Sequence, residues 1–227
     1  MVLFTLKKCI MATYKGGLLS LIKGKIGGTV TYDTKLGYSV TRGIGLRTAP
    51  FTTPELENQK GTSLVTMFLK PVMEVIRIGF KNIPPGKPWH PYNYASSVLK
   101  LNAVKVNGAV KKIDYAKVVF SIGSIPEPKN PTVKLLDNRL HFGWEADLDT
   151  DGTNSNDRVM IVAYFPQILK ALYLLNGAKR TEEKEILPLT DFSENTVIET
   201  YIFYVSMDGK TLSNTSYTGQ VIVDINT

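Results

Sequence analysis

The sequence predicts an α+β chain, mainly β, in which an N-terminal hairpin and helices lead into an antiparallel β-sandwich. Three observations carry that expectation. Val, Ile, Thr and Tyr concentrate after residue 112 in short alternating runs separated by turn residues, the form of antiparallel strands. Between residues 52 and 104 apolar residues recur at helical spacing instead. Ahead of both lies a Gly- and Lys-rich stretch in which two alternating runs flank a short loop. With 227 residues and 43% hydrophobic content, each part has the material for a core.

Residues 1–10, MVLFTLKKCI, read as an upstream extension before a folded start at Met11-Ala12-Thr13-Tyr14. Their apolar stretch precedes the lysines and is too short for a secretory signal or a membrane span, which leaves the cytosol as the default compartment. Cys9, the single cysteine, rules out an internal disulfide and a multi-Cys metal site, and reads as an incidental thiol.

A first division, residues 11–112, opens with the basic core of the chain. From Lys15 to Arg47 there are eight glycines, six Lys/Arg and one acid, Asp33. Thr29-Val30-Thr31-Tyr32 and Tyr38-Ser39-Val40-Thr41 flank Asp33-Thr34-Lys35-Leu36-Gly37, the pattern of a hairpin with a five-residue loop. Glycines let backbone N–H groups approach phosphate closely, and Lys15, Lys23, Lys25, Lys35, Arg42 and Arg47 supply neutralising charge, a candidate nucleic-acid-binding set. The same stretch also reads as a solvated arm that orders against a neighbouring subunit. No phosphate-loop or dinucleotide fingerprint fits, since Gly24-Lys25 is followed by Ile26 and Gly43-Ile44-Gly45 lacks a third glycine.

Thr52-Thr53-Pro54-Glu55 is a helix entry, with a Thr cap, Pro in the first turn and an acid near the positive end of the dipole. Leu64 to Phe80 carries a broad apolar face that Pro71 must kink or divide. A rigid loop, Ile83 to Pro91, presents Trp89 and His90 among prolines, as a small recognition surface or simply a pinned turn. A second helix is expected from Asn93 to about Val104.

The second division, residues 113–227, holds seven candidate strands: Tyr115–Ile122, Thr132–Leu136, Leu140–Ala146, Arg158–Phe165, Ala171–Leu175, Val197–Met207 and Ser213–Val223. Asp137-Asn138 and Asp208-Gly209-Lys210 read as tight turns, and Trp144, Tyr201, Phe203 and Val205 alternate as side chains facing a shared core do. Seven such runs suggest a fibronectin-III-like or immunoglobulin-like sandwich of about 100 residues. In the loop from Asp147 to Asp157, Asp147, Asp149, Asp151 and Asp157 are candidate calcium ligands around Gly152. Arg158 stands where a calcium loop places its bidentate Glu, so the stretch also reads as a polar, turn-rich connection.

Catalytic chemistry finds few residues to perform it. His90 and His141, the two histidines, lie near no nucleophile motif, and no G-x-S-x-G elbow, H-E-x-x-H helix or Cys/His ligand spacing occurs. Glu182, Glu183 and Glu185 read as a solvated charge run before a strand rather than a glycosidase carboxylate pair. The chain is therefore expected to be non-enzymatic, with calcium as its one candidate cofactor.

Ordered along the chain, KGGLLSLIKGKIGGTV, LKPVMEVIRIGFKN, YNYASSVLKLNAV, IDYAKVVFSIGSIPEP and YIFYVSMDGKTLSNTSYTG resemble an uncharacterised bacterial family of basic proteins of roughly this length. The resemblance covers nearly everything from Met11 onward. It implies a Gly/Lys-rich front and a fibronectin-III-like second half, and it brings no activity and no catalytic residue. The extension before Met11 departs from it.

Charge supplies the functional expectation. Residues 1–112 hold 17 Lys+Arg against 4 Asp+Glu and residues 113–227 hold 10 against 16, so the net +7 divides into +13 and −6. The sequence is expected to be a structural or assembly protein whose basic half binds an anionic polymer, nucleic acid first, through phosphate contacts, while the sandwich packs on copies of itself or a partner. The alternative is a secreted or cell-surface binding module that uses the sandwich, stiffened by calcium.

Overall fold

The computed structural model describes residues 11–17, 21–34, 37–45, 47–82, 90–107, 110–147, 154–189 and 195–223. They divide into two units, residues 1–53 and 54–227. As the sequence predicts, the chain is mainly β, with antiparallel sheets and one helical region. The charge step at Lys112 falls inside the second unit.

The first unit is a four-stranded antiparallel sheet of order β1-β4-β3-β2, built from β1 (Met11–Tyr14), β2 (Gly24–Ile26), β3 (Thr29–Asp33) and β4 (Ser39–Gly43). The expected hairpin is β3–β4, shifted by one residue: Asp33, read as the first loop residue, ends β3 opposite Ser39, and Tyr38, read as strand, belongs to the loop. Thr34 closes that loop, its N–H donating to the Tyr38 carbonyl at 2.9 Å and its hydroxyl to the same oxygen at 2.8 Å. Among the described residues of this unit, Val40 is the one buried apolar side chain.

In the second unit, α1 (Thr53–Leu69) and α2 (Met73–Gly79) are separated by a 3₁₀ turn, Lys70–Val72. The break falls at Pro71, whose ring and missing N–H bar a continuous α-helix. Helix α3 (Pro91–Asn102) opens on Pro91, pre-set for a first turn, and ends two residues before the expected Val104. Val104 instead starts β5 (Val104–Asn107), which pairs with β6 (Val110–Ile113).

Seven further strands make two antiparallel sheets: β7 (Lys129–Leu136), β8 (Arg139–Glu145) and β11 (Lys184–Pro188) in the order β11-β8-β7, and β9 (Arg158–Phe165), β10 (Lys170–Leu174), β12 (Thr196–Val205) and β13 (Ser216–Val223) in the order β10-β9-β12-β13. The larger sheet is covered on both faces. Met160, Val162, Tyr164, Tyr201 and Phe203 pack with Phe68, Leu69, Ile76 and Leu99 of the helices. Their strand neighbours Val159, Ile161, Phe165, Ile202 and Tyr204 pack with Leu140, Phe142 and Trp144 of β8 and Leu187 of β11. Period-2 alternation thus sends one strand's side chains into two cores. Between β7 and β8, Asp137 (φ 49°) and Asn138 (φ 56°) both take left-handed backbone, as a two-residue type I′ turn requires.

Two strand expectations are corrected. Tyr115–Ile122 is not a strand: it forms a 3₁₀ turn at Tyr115–Lys117 and then an extended wedge that buries Val118 and Phe120 in the helix-side core. Its N–H groups go elsewhere than a ladder, from Phe120 and Ser121 to the Thr215 hydroxyl at 3.0 and 2.8 Å and from Ile122 to the Gly79 carbonyl at 3.2 Å. The backbone approach is so close at Gly79 that a Cβ there would stand 1.8 Å from the Phe120 oxygen. The seventh strand is β11, which takes Glu185 from the run read as solvated charge before a strand. It is short, opens on Lys184-Glu185, ends in Pro188 and pairs on one side only, all properties of a managed sheet edge.

Candidate nucleic-acid interface

Residues 1–53 contain 8 Lys+Arg against the single acid Asp33, and residues 54–227 contain 19 of each sign, so the first unit carries the whole +7 of the chain. Within the second unit an excess of cations over 54–112, 9 against 3, is offset by the acidic excess of 113–227.

Strand register sorts the cations of the first sheet by face. Val30 lies opposite Arg42 on one side and Lys25 on the other, and Arg42 lies opposite Met11, so Met11, Arg42, Val30 and Lys25 form one row across one face. The next row of that face is Thr13, Val40 and Tyr32. Directly paired residues share a face, and residues two apart on a strand do too, so Tyr32 has Lys25 and Arg42 as diagonal neighbours. Lys25 and Arg42 are exposed, as is Tyr32 at 43%. Neither cation is paired with an acid among the described residues.

The opposite face satisfies itself. Hydroxyls chain from Tyr14 to Thr41 at 3.1 Å and from Thr41 to Thr31 at 2.7 Å. The Ser39 hydroxyl donates to Asp33 at 2.8 Å and the Lys23 ammonium lies 2.5 Å from the same carboxylate. Lys23, with Ser39, holds the Asp33 carboxyl below the usual carboxylate range. Of the six predicted cations, then, Lys25 and Arg42 share an open face, and Lys23 is occupied by Asp33. Arg47 folds back on its own chain, donating to the Ala49 and Pro50 carbonyls at 2.8 and 3.0 Å and lying over the Phe51 ring. Lys15 follows β1 and is exposed, and Lys35 lies outside the described residues. That Tyr32 lies diagonal to Lys25 was not legible, because only the pairing of β2, a three-residue strand, brings Lys25 beside it.

The calcium candidates are placed as follows. Asp149 and Asp151 lie outside the described residues, as does Trp89 of the Pro-rich loop. Asp147 sits 3.6 Å from the Lys129 ammonium. Asp157 is 2% exposed, and its carboxylate accepts from the Asn154 N–H at 3.2 Å and from Arg180 at 3.3 Å. Burial raises the Asp157 carboxyl above its ordinary value, with Asn154 and Arg180 pulling the other way. Arg180, which the sequence did not single out, is wholly buried. Glu182, Glu183 and Glu185 each accept a backbone N–H, from Lys179, Ala146 and Ala178 respectively.

Another buried carboxylate, Glu199, accepts from the Tyr217 hydroxyl and from Gln220 Nε2 at 2.8 Å, and the Tyr201 hydroxyl donates to the Tyr115 carbonyl. Desolvation raises the Tyr115, Tyr164, Tyr201 and Tyr217 hydroxyls, so these side chains stay neutral, Tyr201 and Tyr217 as donors. Among the described residues no three His, Cys, Asp or Glu side chains gather as a metal site. No described helix is long and apolar enough to cross a membrane.

No curated protein and no solved structure matches this sequence. A family model does, over residues 21–219, which takes in the strands of the cationic sheet from β2 on and nearly all of the second unit. The chain therefore belongs to DUF6266, a family of unknown function.

Proposed function

We propose that the chain is a non-enzymatic assembly protein in which a cationic sheet docks on a polyanion, nucleic acid first, while the second unit serves as scaffold. The observation that carries this reading is the confinement of the entire net charge to residues 1–53, with Lys25 and Arg42 unpaired on one face. Binding of this kind gains its free energy from released counterions and needs no base reading. The buried ionisable groups of the second unit are spent on its fold, which suits a scaffold. Its strand order also supports a fibronectin-III-like or immunoglobulin-like sandwich: first, second and fifth strands in one sheet, and fourth, third, sixth and seventh in the other.

Fluorescence anisotropy of labelled DNA across a salt series tests the reading. The full chain is expected to bind with a log–log slope of roughly −0.7 to −0.9 per phosphate neutralised. Residues 54–227, which keep both hydrophobic cores and have no net charge, are expected not to bind. A slope near zero for the full chain, or equal binding by the fragment, overturns the proposal.

A further inference from the structure

The polyanion reading leaves open which form of nucleic acid the sheet takes, and the row arrangement on its open face bears on that choice. A sheet face that presents an exposed aromatic ring between cations is a platform for unstacked bases, which every base can use through its π-face. Duplex bases are stacked internally and cannot reach such a ring. On this sheet the ring is Tyr32, on β3, and the cations are Arg42, on the strand to one side, and Lys25, on the strand to the other. Adjacent strands lie about 4.8 Å apart, so the two cations are separated by about 10 Å of backbone, a gap their long side chains span on either side of a seated nucleotide. Met11, Thr13, Val30 and the buried Val40 complete the face without adding an acid. A second copy of the same sheet is a poor occupant, since residues 11–53 hold six cations against one acid and would set +5 against +5.

We infer that this face binds single-stranded nucleic acid, with Tyr32 stacking on a base while Lys25 and Arg42 contact the flanking phosphates. The inference rests on the polyanion reading above and adds the strandedness and the stacking residue.

The test uses the full chain with a labelled oligothymidylate of about 20 nucleotides and a duplex of the same length. Tyr32→Ala is expected to weaken oligothymidylate binding about 10-fold and to leave duplex binding unchanged, while Tyr32→Phe keeps the ring and the affinity. The Lys25→Ala, Arg42→Ala double variant is expected to weaken both and to flatten the single-strand salt slope by about 1.4. If Tyr32→Ala binds oligothymidylate as the parent does, or Tyr32→Phe loses as much as Tyr32→Ala, stacking is wrong; retained salt-steep binding then leaves the polyanion reading standing. If the parent binds neither oligonucleotide, both fall together. Tyr32 is an exposed position, and an unchanged thermal midpoint in each variant separates lost contact from lost fold.

Discussion

Arg180 is the largest fully buried side chain of the described residues, and its hydrogen bonding is incomplete. One terminal nitrogen donates to the Pro126 carbonyl and to Asp157, while Nε and Nη1 have no partner and the guanidinium lies 3.9 Å from the Tyr204 ring centre. Its backbone ties the same spot together, the carbonyl accepting from Trp144 Nε1 at 2.8 Å and the N–H donating to the Asp157 carbonyl at 2.8 Å. Arg180→Met removes the cation and leaves a buried carboxylate, a change that costs about 3–5 kcal/mol when one partner of such a pair is lost. The cost has a pH signature. Asp157 already has a raised folded pKa, so its contribution is full below the ordinary carboxylate value and is lost as pH rises through the raised one. Without Arg180 that pKa rises further, so the penalty in Arg180→Met is expected to be smaller at pH near 4 than at pH near 7. Urea midpoints of parent and variant at the two pH values measure it, and a pH-independent penalty contradicts the assignment.

At the scale of elements, the β7–β8 hairpin is held by its turn and by a tether. Asn138 takes φ 56°, its side-chain amide donates to the Leu189 carbonyl at 3.1 Å, and the Leu189 N–H returns a bond to the Asn138 carbonyl at 3.1 Å. Asn138→Ala keeps the backbone bond but loses the side-chain one and strains the turn, so it is expected to cost about 1–3 kcal/mol in a denaturant titration. This turn was legible in the sequence because left-handed positions select Asn and Asp, and so were the β3–β4 hairpin and the break at Pro71. Tyr115–Ile122 misled because a run of β-forming residues is not specific to a ladder: Val118, Phe120 and Ser121 are buried in a segment wedged between helices and sheet, its N–H groups bonded to the Thr215 hydroxyl and the Gly79 carbonyl. Strand β11 was read only as a strand following a charge run and not as one of the seven, since Lys184, Glu185 and Pro188, which protect the edge, leave Ile186-Leu187 as its only apolar signal. The open face of the first sheet was half legible. A five-residue hairpin loop places Arg42 opposite Val30, but Lys25 joins them only through pairing across the Gly27-Gly28 turn. Arg180 had no signal at all, because nothing in a local stretch marks which arginine of a polar run turns inward.

For the whole molecule, the division at residue 53 changes what the charge means. Read against residue 112, the chain is a dipole; read against the structural boundary, it is a neutral body that carries a cationic sheet. The cations of the helical stretch belong to the same unit as the acids of the strands, and only the excess in residues 1–53 is left for a partner. The neutral body has its own consequence. Because the β10-β9-β12-β13 sheet walls both cores, shedding either the helices or the smaller sheet would strip a face from the same strands. Neither cover can leave alone. Backbone amides of Leu69 in α1, Val162 in β9 and Phe142 in β8 are therefore expected to exchange with deuterium through one shared opening, with free energies within about 1 kcal/mol of each other. A layer that exchanges well below the others would mean that the unit comes apart in stages. A common value would mean that a protease has no half-open form of this scaffold to attack, only the folded chain or the unfolded one.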